Sequence, residues 1–352
     1  MIRLEVPFIP EEGYVQFLVE QGAFLSSVYF SLYTDPVADS RYRFDAWCAE
    51  DLRRQLPCLQ DLHKYALINS RFYRPDIYDD PEIQGDLIRV LEMLLQDDLL
   101  DGIVFSDFYF LNALAARAPD LAAGMEAVPG VNCQIDTAAK LDQAMDLIRA
   151  AGFRRPGKIV LDRSLNRRPE ALADLVTPLQ RRYPKTVPGL IANEGCLPDC
   201  LFKPAHDAHI ALGNMRLTPE NTHRLNSRYG CFDVFRRQPE RIFQSPFIRP
   251  EDIRHYEGTI RFVKIAGRTL GTSFLRNVVR AYVRRNYHGN LLELMDTLHE
   301  LSDQMAIANH RLPIDFWEQI TACGGHCSGC DTCRHLATRV QFQPFRMRDL
   351  RR

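Results

Sequence analysis

The 352-residue chain lacks any strong excess of charge: 44 Lys and Arg face 45 Asp and Glu, for a formal net charge of -1. Bulk electrostatics therefore demand no polyanionic partner. No stretch of about 18 uninterrupted apolar residues occurs, so no membrane span is expected. The first residues, MIRLEVPFIPEEGY, lack a basic stretch followed by an apolar core. No signal peptide is expected, and the location expected by default is cytoplasmic. Also absent are the H-E-x-x-H of zinc peptidases, the G-x-S-x-G nucleophile elbow and the Gly-rich phosphate loops of nucleotide sites. Zinc-peptidase chemistry thus finds no support, and nothing commits the chain to a nucleotide cofactor.

Apolar residues make up 46% of the chain and charged residues 25%, the balance of a soluble globular protein. Short apolar runs alternate with helical patterns. Strands are predicted at residues 2–8, 24–32, 65–70, 101–107, 125–132, 157–162 and 186–193, and an eighth follows an interruption, at 260–267. Helical patterns between them, such as 137–152 with Asp136 or Thr137 as cap and Gly152 as stop, imply a parallel sheet with crossover helices. Eight such steps predict an α/β fold, a TIM-like (β/α)8 barrel, with an open doubly wound sheet as the alternative. The predicted organisation is a barrel over residues 1–285 with a cysteine-bearing insertion at 194–244. A helical, cysteine-rich C-terminal extension follows at 286–352.

Cysteine is plentiful, with ten in the chain. Without an export signal these are expected to be metal ligands or free thiols and not disulfides. Cys196 and Cys200 lie in NEGCLPDC, directly after the seventh strand, where parallel β/α folds gather functional groups. Spacing i, i+4 lets the two thiolates face one point. Cys231 falls in the same insertion, and three thiols on one excursion suggest soft-metal ligation. The tail carries C-x3-C-x2-C-x2-C: Cys323, Cys327, Cys330 and Cys333. Iron–sulphur clusters use such dense spacing and often recruit a ligand from elsewhere; a structural zinc site uses four thiols as well. One arrangement joins Cys196, Cys200, Cys231 and one tail cysteine in a cluster and leaves three tail cysteines for a second. The other has one cluster, with zinc on the remaining thiols. Cys48, Cys58 and Cys133 lack partner spacing and read as buried free thiols.

Several charged residues belong near the C-terminal ends of strands. Lys264 alternates with Val263 and Ile265 on the last strand, which predicts a role at the barrel mouth in preference to a structural ion pair. Glu194 stands between strand and thiols as a candidate general acid or base. Arg163 and Arg268 are candidate clamps for a carboxylate or phosphate. Converging cations predict a small anionic substrate unless neighbouring carboxylates such as Asp162 and Glu194 compensate. His206 and His209 share a helix face, and packing is the commoner role there.

Three blocks then resemble a known family. VLDRSLNRRPEAL, NEGCLPDC and SPFIRPEDIRHYEGTIRFVKIAGR, in this order, are similar to the collagenase-like peptidase family U32. The resemblance runs from about residue 100 to 285. It implies a barrel bearing a 4Fe-4S cluster and oxygen-independent hydroxylation, as in the ubiquinone-biosynthesis pair and the RNA-hydroxylating proteins among the relatives. By position it makes Cys196, Cys200 and Cys231 counterparts of the relatives' cluster cysteines. Two departures stand out: Ala266 replaces a glutamate of the KIEGR pattern, and Ser164 and Asn166 replace Glu and Ser after Arg163. The expected function is an iron–sulphur hydroxylase or related redox enzyme acting on a small anionic metabolite, with Glu194 and Lys264 catalytic. The alternatives are an RNA-modifying hydroxylase and a non-catalytic cluster-bearing subunit paired with a protein of the same family.

Overall fold

Strand-length apolar runs with crossover helices have one economical solution, in which every strand pairs on both sides and helices cover the outside. The computed structural model describes residues 1–34, 39–41, 47–219, 222–323 and 329–339. All eight predicted strands form: β1 (Arg3–Pro7), β2 (Leu25–Ser31), β3 (His63–Ile68), β4 (Gly102–Phe105), β5 (Glu126–Pro129), β6 (Lys158–Val160), β7 (Val187–Ile191) and β8 (Phe262–Lys264). They are shorter than the apolar runs because the ends of those runs turn away into bends and short 3-10 turns. The strand order is β5-β4-β3-β2-β1-β8-β7-β6, and every pair is parallel. The sheet closes through β1 and β8. The β5 and β6 edges meet at a single parallel bridge, Glu126 with Arg154, reinforced by the Gly157 amide, which donates to the Glu126 carboxylate at 3.0 Å. The result is a nearly closed (β/α)8 barrel.

Side-chain alternation divides each strand. Leu4, Val6, Val28, Phe30, Ile103, Ile159 and Val263 join the core beneath the helices. The opposite phase points inward and is unusually polar. Lys158 on β6 reaches Ser27 on β2 at 2.9 Å, and these strands lie far apart in the sheet order, so the contact crosses the barrel interior. The crossover helices follow their local signals. The helix Ala138–Ala150 is capped by the Thr137 hydroxyl, which accepts from Lys140 N. It stops at Gly152, where φ of 84° suits glycine.

A second apolar core lies beside the first. It combines Phe232, Phe235 and Phe243 of the insertion, and Phe247 just after it, with Leu291, Leu298, Phe316 and Leu336 of the extension. Insertion and extension thus fold on each other. The helix Thr332–Arg339 packs on residues 239–244, which brings the tail back against the barrel. Among the described residues, no helix is long and apolar enough to cross a membrane.

Candidate active site and thiol cavity

The loop after β7 is held by one side chain. Asn193 donates to Ala266 O and to Leu294 O, both at 3.0 Å, and accepts from Ala266 N at 2.7 Å. Its own carbonyl accepts from Asp296 N at 2.9 Å. A buried amide with its groups satisfied in this way locks the ends of β7 and β8 to the extension. Asn166 acts similarly on the neighbouring turn, donating to Ile191 O at 2.7 Å and to Pro246 O at 2.6 Å. The asparagine that departs from the family pattern is therefore a clamp on the backbone.

Glu194 and Cys196 project from this locked loop. Glu194 is paired with Arg163, whose Nη1 also donates to Cys196 Sγ at 3.6 Å and whose Nη2 donates to Asn132 at 3.2 Å. Burial alone would lower the Arg163 pKa, but Glu194, then Cys196 and Asp162, outweigh it and raise the value. The other carboxylate oxygen of Glu194 is buried with no hydrogen-bond partner among the described residues. Burial, with Glu194 beside it, pushes the Cys196 thiol up to about 12. Burial also pushes Cys231 up to about 11, and Cys200 adds to the rise. Cys200 acts electrostatically on both other thiols, so the insertion trio shares one neighbourhood.

A cavity of about 960 Å³ opens between the turn after β6, the insertion and the tail, with Cys200, Cys323 and Cys333 on its wall. The two thiol groups therefore face a common space. The Cys330 thiol is lowered chiefly by Thr332, with a smaller contribution from Cys323, and Cys330 Sγ lies 3.3 Å from the Thr332 hydroxyl. Cys327 lies outside the described residues. In donor chemistry the set suits a thiolate-bound group, since soft sulphurs are grouped and a guanidinium donates to one of them. In spacing it does not yet close. Among the described residues, no three His, Cys, Asp or Glu side chains stand near enough together to hold a metal ion. His206 and His209 sit on the helix Lys203–Asn214 and join no such group.

The three cations expected to converge on an anion are each matched by a carboxylate instead. Arg163 pairs with Glu194, Lys264 with Glu5 at 2.7 Å, and Arg268 with Asp39. Arg268 Nε lies 3.1 Å from Asp39 Oδ2. Lys264 is corrected from the mouth to the barrel interior: its ammonium also sits 3.2 Å from the Tyr29 ring centroid. Lys158 shares Glu5 at 3.3 Å and lies 3.6 Å from the Tyr65 ring centroid. Burial pulls Lys264 down to about 8 against the opposing pull of Glu5. Sequence reasoning missed Glu5, Lys158 and Asp39. Glu5 and Lys158 left a signal: charged residues inside apolar strands, in the inward phase.

Cys133 was expected to be a buried free thiol; it is free but only partly buried, with its Sγ 3.5 Å from Phe105 O, and desolvation pushes it up to about 12. Cys48 and Cys58 are exposed, contrary to expectation. They lie at the two ends of a short segment covering the outside of the barrel, the helix Ala49–Gln55 and the turn after it.

No family model matches the chain. It is 30% identical over 186 residues to the uncharacterized protease MJ1657 of Methanocaldococcus jannaschii, a match covering 52% of each chain. The chain is thus similar, over about half of its length, to a protein named a protease. Among solved structures, it is similar to the U32 peptidase Mk0906 with a TM-score of 0.45 and 12% identity, over 76% of this chain and 94% of that one. The match to MJ1657 spans about half of that relative's length. In this chain the three sequence blocks that carry the resemblance fall on the turn after β6, the loop after β7 and the approach to β8. These three segments supply Arg163, the Asn193 clasp with Glu194 and Cys196, and Lys264.

Proposed function

We propose that this chain is an iron–sulphur enzyme of the oxygen-independent hydroxylase type, acting on a small anionic metabolite at the thiol-lined cavity. The observation that carries the reading is that Cys200 of the insertion and Cys323 and Cys333 of the tail line one cavity. The volume suits a small molecule. A thiolate-held cluster, when bound, supplies one-electron transfer beside that space. Cys196, Cys200, Cys231 and a tail cysteine would hold it. The chain's own residues contribute the rest: Arg163 orients Glu194, and the unpartnered oxygen of Glu194 can accept a proton.

A peptidase reading rests on the relative's name, and none of the zinc or serine motifs accompanies it here. The test is anaerobic purification of the wild type and of the Cys196→Ser and Cys200→Ser variants, with iron and sulphide counts. The wild type is expected to carry about four irons per chain in each cluster, with loss in both variants. Wild-type protein without iron, or variants with unchanged iron and sulphide, would remove these residues from the ligand set. Iron without turnover, together with a co-purified chain of the same family, would favour the non-catalytic subunit.

A further inference from the structure

Five cations line the cavity: Lys140, Arg163, Arg167, Arg168 and Lys203. Four are ion-paired, with Asp136, Glu194, Asp199 and Asp207 respectively. Arg167 is the exception. Among the described residues it forms no ion pair. Its Nε and Nη2 both donate to Ser245 O, at 3.0 and 2.9 Å. Its guanidinium lies 4.7 Å from the Phe247 ring centroid and 5.8 Å from that of Phe316. Those contacts fix the fork in place and leave Nη1 without a hydrogen-bond partner among the described residues. A guanidinium presents five N–H donors in a rigid plane, and a carboxylate matches that plane.

We infer that Arg167 anchors the carboxylate of a monoanionic small molecule in this cavity. The aromatic faces and the single carbonyl orient the guanidinium in advance, so little ordering is lost when a ligand arrives. Charge selects the class of ligand. Besides the four pairs, the wall carries Asp162 and Glu170 against Arg167, so its charges already sum to about one negative, and each further negative charge on a ligand adds repulsion. A phosphate dianion would therefore be repelled more than a carboxylate, whose single charge the unpaired Arg167 guanidinium can hold directly. The anchor is thus distinct from Arg163 and Arg268, whose guanidiniums are already matched by Glu194 and Asp39.

This inference rests on reading the cavity as the substrate site, and its test is separable from the iron counts. Purified full-length protein is titrated calorimetrically with benzoate, with phenyl phosphate and with neutral benzamide. Benzoate is expected to bind most tightly of the three. Its affinity should fall about tenfold or more in Arg167→Gln, with partial retention in Arg167→Lys. Gln319→Trp, which adds bulk at a lining residue that makes no contact with Arg167 among those described, should abolish benzoate binding. Undiminished benzoate affinity in a folded Arg167→Gln or in Gln319→Trp overturns the inference. So does phenyl phosphate binding more tightly than benzoate, or no benzoate heat with the wild type up to concentrations on the order of 10 mM. Should Arg167→Gln fail to fold, the Gln319→Trp and wild-type arms still decide. Iron content, followed in parallel, reports on the cluster reading alone.

Discussion

Glu5 is a single buried carboxylate that serves two cations inside the barrel. It is fully buried and faces two ammonium groups, Lys264 at 2.7 Å and Lys158 at 3.3 Å. Burial would raise its pKa, but the two lysines outweigh that and lower it. The trio holds one carboxylate for two cations, so its members are not equivalent. Glu5→Gln would leave two buried ammoniums unmatched and should cost about 3–5 kcal/mol. Lys264→Met leaves Glu5 paired with Lys158 and should stay within about 1 kcal/mol of wild type. Urea unfolding of both variants checks this, and equal losses would contradict the asymmetry. The pH dependence has a definite sign. Lys264 falls from 10.5 to about 8 on folding, so between those values the folded chain has released a proton that the unfolded chain still holds. Its contribution to stability therefore rises with pH across that window. The raised Tyr29 works the other way at the alkaline end. The difference between wild type and Lys264→Met isolates the lysine, and a pH-independent difference from pH 7 to 10 would refute the assignment.

The loop after β7 depends on close packing as much as on hydrogen bonds. Gly195 lies between Glu194 and Cys196, and a Cβ there would come within 2.5 Å of Leu298 Cγ. Leu298 is fully buried in the second core, so it has no free direction in which to move. Gly195→Ala is expected to cost about 1–3 kcal/mol through overpacking. It should also push the loop off the extension, so that Cys196 reacts faster with a thiol reagent than in the wild type. Normal stability with an unchanged Cys196 labelling rate would show that the loop yields without strain. The same packing explains why the site loop follows the extension: the Asn193 clasp bonds Leu294 O, a short way before Leu298.

At the scale of the molecule, the barrel and its additions are joined through the shared second core. The insertion and the residues just after it contribute Phe232, Phe235, Phe243 and Phe247 to a core completed by residues 291–336. A chain truncated after Arg285 would expose those aromatic rings. At about 25 cal/mol per Å² of apolar surface, several large side chains amount to many kcal/mol of lost burial. The truncated chain is expected to bind a hydrophobic dye and to aggregate on size-exclusion chromatography. A monomeric, cooperatively unfolding product would show that the barrel and insertion stand alone.

Much of the architecture follows from local pattern. Short apolar runs separated by helical patterns located all eight strands, and the Thr137 cap and Gly152 stop delimited their helix, because these signals depend on neighbours a few residues apart. The cysteine clusters and Glu194 were equally legible, since a strand end followed by thiols is a local feature. Strand phase also marked Lys264 as an inward-facing side chain. Its partner was not legible: Glu5 lies 259 positions away, and alternation supplies a direction without naming what stands opposite. The Arg268–Asp39 pair, 229 positions apart, and the core shared by insertion and extension were hidden for the same reason. Arg167 reads locally as one arginine in a basic turn. Only tertiary structure, by assigning a carboxylate to each of the other cations on the cavity wall, singles it out.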